Sequence, residues 1–159
     1  MVKGLDALQR FFEWLVSDEF LHAMHNIAGR EIKNLLDQGF ELERDPWGRS
    51  WIPSKKRSGK TLFESGALKE NTRVKADARG AFLRNDTLYG PTHQFGATIM
   101  PKKSNMLTFK IDGHWVSVPS VVIPKRQFFL NEDEPLPPMF EKAIIRAWAQ
   151  YLESRWRFA

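Results

Sequence analysis

His22 and His25 lie three residues apart, a spacing that can bring two imidazoles onto one helix face. A metal would need further ligands, and the neighbouring Asp18 and Glu19 form no recognised ligand pattern with them. Surface or half-buried histidines are the simpler reading. Gly59-Lys60-Thr61 repeats the end of a phosphate-binding loop, yet that loop requires another glycine five residues earlier, where Ser54 stands. No apolar strand leads into it either. No His-Glu-x-x-His or Gly-x-Ser-x-Gly arrangement occurs, and carboxylates such as Glu64 and Glu70 are scattered. The absence of cysteine removes thiol nucleophiles, thiolate metal sites and disulfides together. No residue is therefore assigned to catalysis, to a cofactor or to a metal, and the chain reads as a non-enzyme.

A second kind of chemistry is electrostatic. The net charge of +5 is spread as −4 over residues 1–48, +7 over 49–84, +3 over 85–130 and −1 over 131–159. Lys55, Lys56, Arg57 and Lys60 could neutralise phosphates, and Trp47 and Trp51 could stack on bases. A small basic DNA-binding protein using residues 47–60 is thus one reading. No helix-turn-helix, zinc-finger or aromatic strand signature accompanies it. Tryptophans beside a turn also serve as anchors that pin a loop to a core or a partner.

These residues need elements to hold them. With 42% hydrophobic and 13% aromatic residues, the chain has the composition of a folded domain. Leu5, Leu8, Phe11, Phe12, Leu15 and Val16 predict an amphipathic helix over 4–16. Ser17, followed by Asp18 and Glu19, predicts the capped start of a second helix. Its buried stripe is Phe20, Met24, Ile27, Ile32, Leu35 and Leu36, and Gly39 is its natural stop.

Residues 40–66 lose the periodicity and read as an extended arm with a long basic loop, carrying turn chemistry at Asp45-Pro46-Trp47-Gly48. A short helical turn follows near Ser65-Gly66. Thr72–Ala78 alternates like a half-buried strand. Ala81–Arg84 and Thr87–Tyr89 suggest a hairpin about Asn85-Asp86, and Met106–Ile111 with His114–Val118 a clearer one about Asp112-Gly113. Ser120–Ile123 reads as a last strand. Prolines 135, 137 and 138 mark the entry to a helix over 136–157, with Phe140, Ile144, Ala147, Trp148, Tyr151 and Leu152 on its apolar face. The expected fold is a single α+β domain. Two N-terminal helices and a C-terminal helix pack on a small antiparallel sheet, with residues 67–130 mostly β. No apolar run is long enough to span a membrane. The first residues also lack the basic-then-apolar layout of a signal peptide.

One ordered series of motifs is more informative. Trp47 and Trp51 with Pro53 come first, then Gly59-Lys60-Thr61-Leu62-Phe63-Glu64-Ser65-Gly66-Ala67-Leu68. Leu88-Tyr89-Gly90-Pro91-Thr92-His93-Gln94-Phe95-Gly96 follows, and Val122-Ile123-Pro124-Lys125-Arg126-Gln127-Phe128-Phe129-Leu130 closes the series. This order resembles the virion morphogenesis, or tail completion, family of Mu-like and P2-like tailed phages. Gly90 and Gln127 depart from the alanine and proline usual at those positions. The resemblance implies a structural protein that completes the head–tail joint or tail end as an oligomer, a ring, beside other neck and tail proteins. It also implies location in the virion after assembly in the bacterial cytoplasm.

On that reading the interface candidates are Trp47, Trp51, Lys55, Lys56, Arg57, Lys60, His93, Gln94, Phe95 and Arg126. A basic rim over residues 55–60 would tolerate passing DNA without reading its sequence. His93, Gln94 and Phe95 would project from a turn begun by Pro91 and ended by Gly96. Alternatively, Phe95 is core and His93 makes a local hydrogen bond. Arg126 suits a charge-assisted contact to a carboxylate, internal or across an interface.

Overall fold

The computed structural model describes residues 3–54, 59–62, 65–111 and 113–156. Helix α1 (Lys3–Leu15) breaks at Ser17, whose hydroxyl accepts from the Phe20 amide at 3.2 Å and caps α2 (Asp18–Leu42). Helix α2 runs past the glycine expected to stop it. Gly39 keeps its helical conformation, and its carbonyl accepts the closing bonds from Glu43 and Arg44. The turn is made instead by Glu43, in the left-handed region at φ 53°. Phe40, expected in an extended arm, therefore ends the buried stripe of α2.

After α3 (Ala67–Glu70) come β1 (Thr72–Asp77) and β2 (Gly80–Asn85), paired antiparallel with Val74 opposite Leu83. The expected hairpin about Asn85-Asp86 is not formed; Ala81–Arg84 pairs backwards with β1. The side chain of Asn85 explains why. Its Nδ2 donates to the Leu68 carbonyl and to Thr72 Oγ1, and its Oδ1 accepts from Thr87, so the chain leaves the sheet at that point. Asp77 supplies the real turn, accepting from the Arg79 amide at 2.8 Å. Gly29 of α2 lets this pair approach, since a Cβ there would lie 2.4 Å from Val74 Cγ1.

Helix α4 (Gly90–Phe95) leads into β3 (Ala97–Ile99), a strand the pattern gave no sign of, which pairs with β6 (Val121–Ile123). Between them β4 (Leu107–Ile111) and β5 (His114–Val118) form the expected hairpin, with Gly113 at φ +84° and Asp112 outside the described residues. Helix α5 (Pro138–Trp156) closes the chain. The fold is α+β, and its antiparallel sheet is divided into three two-stranded pieces.

Helix α2 is the spine, packed on β1–β2 and on α5. One buried cluster joins Ala28, Ile32 and Leu36 to Phe140 and Ile144; a second joins Phe40, Trp51, Leu68 and Phe128. Phe129 touches both. Trp148 ties α5 to α2 through its indole N–H and the Met24 carbonyl at 2.8 Å. The outer faces of α1, β3, β6 and the β4–β5 hairpin are less covered: Phe12, Val16, Met100, Trp115 and Val122 are exposed. Among the described residues, no helix is long and apolar enough to cross a membrane.

Candidate functional site

Four segments that are distant in the sequence meet beside the second cluster. Trp51 is 6% exposed, packs edge-on against Phe40 at 5.4 Å between ring centroids, and donates from its indole to the Gln127 carbonyl at 2.8 Å. Arg126 donates from Nε to the Ile52 carbonyl at 2.6 Å and from Nη2 to the Pro53 carbonyl at 3.3 Å. Its own amide donates to the His93 carbonyl at 2.8 Å. Gln94 completes the junction. Its Nε2 donates to the Phe129 carbonyl at 3.0 Å, while its Oε1 accepts from the amides of Phe128 and Phe129. One amide side chain thus replaces a missing strand for residues 128–129. Gly96 permits the close approach behind it: at φ +74°, a Cβ there would sit 2.9 Å from the Lys125 nitrogen.

Several expectations change on this geometry. Trp51 belongs to the core, so its ring faces are not open to a base or a partner. Gln94 is buried and points inward. Phe95, the next residue on the same turn, is 64% exposed and is not core. Successive residues of a helix face different sides, which is why the two part company. The Nδ1 of His93 does not make the local hydrogen bond expected of it: it is buried without a partner among the described residues. Arg126 contacts main-chain carbonyls, and among the described residues it has no carboxylate partner. Trp47 is half-buried beneath the Arg49 guanidinium, 5.5 Å from the ring centroid, on the turn held by Asp45. Lys55, Lys56 and Arg57 lie outside the described residues.

Lys60 is not a free cation. It pairs with Glu41 at 2.5 Å, and Lys69 reaches the other oxygen of that carboxylate at 2.7 Å. These two hydrogen bonds and charges hold Glu41 down at about 2. The Thr61 amide donates to the Glu43 carboxylate and lowers that group too. An acid therefore occupies the amide that a phosphate would need in Gly59-Lys60-Thr61. His25 Nδ1 contacts the Asp77 carbonyl at 2.8 Å, fixing α2 to the β1–β2 turn, while His22 is exposed. No group of three metal-ligating side chains is present among the described residues.

Beside the junction opens a cleft of about 380 Å³, lined by Arg126, His93, Thr61, Leu62 and Leu68 among others. Burial, and then the Arg126 charge, lower the His93 pKa, and burial also lowers that of Arg126. The four motifs singled out in the sequence are thus the four segments that build this junction. The model of the phage virion morphogenesis family matches residues 5–143. The chain belongs to that family. Membership of the phage virion morphogenesis family gives it a structural role in phage assembly. Comparison with curated proteins and with solved structures returned no match.

The sequence pointed to these segments but missed how they are joined. Gln127 acts through its carbonyl, which no side-chain pattern reports. Glu41 and Glu43, at the end of α2, were signalled only by their closeness to a helix terminus followed by a basic stretch.

Proposed function

We propose that this protein completes the head–tail joint or tail end of a tailed phage particle, as a ring-like homo-oligomer seated against other neck and tail proteins. It is assembled in the bacterial cytoplasm and stays in the virion. Family membership supplies the class; the observation that supports action by contact is the set of uncovered apolar side chains. Phe95, Met100 and Val122 are exposed on and beside the β3–β6 pair, and Trp115 is 69% exposed on the β4–β5 hairpin. Among the described residues, that hairpin has no extensive packing against another element. A two-stranded hairpin gains little stability alone, and large apolar groups left in water favour a second surface.

The test is deletion of the gene from the phage or prophage that carries it, followed by electron microscopy of the lysate. Filled heads beside unattached or abnormally ended tails are expected, with infectivity restored by the intact gene. Restoration should fail with Trp115→Ser plus Val122→Ser, although that variant folds. Normal infectious particles from the deletion would end this reading.

A further inference from the structure

We propose that the cleft beside the motif junction is a carboxylate-receiving site, filled in the assembled particle by an Asp or Glu side chain of a protein neighbour. The observation that carries it is Arg126. Its guanidinium side chain is 8% exposed, and it lines the cleft. Two of its five donors are spent on the carbonyls of Ile52 and Pro53, which fix the plane of the fork. The other three have no partner among the described residues. A cation removed from water without an opposite charge is costly, and the cost is relieved when an anion arrives. His93 adds a second unmet group to the lining of the cleft, its Nδ1 buried and without a partner among the described residues.

The rest of the cleft selects the kind of anion. Leu62, Leu68 and Tyr89 offer apolar surface for the aliphatic stem of an acidic side chain, and Thr61 also lines the cleft. A polyanion meets poorer conditions. Arg126 is recessed, whereas phosphate backbones are gripped by exposed cations. The cation on the rim, Lys60, is already shared with Glu41, and Glu43 lies close behind Thr61. A narrow carboxylate enters where a nucleic-acid strand does not. One source is on this chain: Glu132 and Asp133 are exposed on the loop before α5, so a second copy could present them. Only the source of the acid rests on the assembly reading; the site itself does not.

The test uses the full chain, labelled with nitrogen-15, with the backbone amide signals of Thr61 and His93 followed by NMR, together with the Arg126 Nε signal where that residue is present. It is titrated with acetyl-Gly-Glu-Gly-amide, with acetyl-Gly-Gln-Gly-amide, with inorganic phosphate and with a short DNA duplex. A saturable shift with the Glu peptide alone is expected, weakened about tenfold in Arg126→Lys, which keeps the charge but loses the fork. If Arg126→Lys fails to fold, Leu62→Trp, which fills the cleft, should abolish the shift instead. A shift that grows with protein concentration before any peptide is added, and that vanishes in Glu132→Gln plus Asp133→Asn, assigns the acid to a second copy. The peptide response without that concentration dependence assigns it to another protein. No saturable response to the Glu peptide overturns the proposal. So does an equal response to the Gln peptide, to phosphate or to DNA.

Discussion

Replacing Gln94 by leucine isolates the junction from everything around it. The substitution keeps the side-chain volume close and removes three hydrogen bonds at once: one from Nε2 to the Phe129 carbonyl and two to Oε1 from the amides of Phe128 and Phe129. Each buried group left without a partner costs about 1–3 kcal/mol. The Phe128 amide is fully buried, while the groups of Phe129 are half-buried and can recover part of their loss from water. The total should therefore fall at about 3–5 kcal/mol, the upper end of what single substitutions do. For a chain of this size that corresponds to a melting point lower by roughly 6–20 °C. Chemical denaturation followed by circular dichroism reads it directly, with Phe95→Ser as the neighbouring control. Phe95 is mostly in water, so its replacement should change stability by no more than about 0.5 kcal/mol. A loss below about 1 kcal/mol for Gln94→Leu, or equal losses for both variants, would refute the clamp.

Two more outcomes follow from groups around the same junction. Gln127 is 3% exposed, and neither polar atom of its side-chain amide has a partner among the described residues. Gln127→Leu should therefore raise stability by about 1–2 kcal/mol, seen as a higher urea midpoint at unchanged slope, and a lower midpoint would contradict it. His93 has its pKa lowered from 6.5, first by burial and then by Arg126. The unfolded chain takes up its proton before the folded one does. Stability should thus fall as the pH drops below about 6.5, and His93→Gln should flatten that part of the curve. Denaturant midpoints between neutral and mildly acid pH decide it: equal slopes for both proteins would show that His93 is solvated.

What the sequence made legible was local. The 3.6-residue spacing in α2 and α5, the Ser17 cap, the alternation in β1 and the tight turn at Gly113 all depend on neighbours within a few positions. The α+β class followed from these. Pairings set by distant residues were not legible. Strand β3 is three residues long and exists because Val121–Ile123 lies beside it. Helix α2 passed Gly39 because the carbonyl of that residue found the Glu43 and Arg44 amides. The site shows the same division. The motifs gave the correct segments, yet the burial of Trp51 and Gln94 and the exposure of Phe95 depend on which face each segment turns inward.

This division bears on how the basic middle of the chain should be understood. Charge counted along the sequence assigned +7 to residues 49–84, as though one surface carried it. Folding distributes much of that charge into separate pairs. Arg49 is held by Asp45, Lys60 and Lys69 by Glu41, Arg79 by Asp77 and Arg84 by Asp86. Most of these are exposed pairs, worth little in stability and readily screened by salt, but each places an acid beside a cation that a polyanion would otherwise meet. Arg126 is the opposite case. It lies outside the basic stretch, its charge is recessed, and its partners among the described residues are neutral carbonyls. A cation that is isolated and largely withdrawn from water discriminates between anions by shape and reach, as a run of surface lysines cannot.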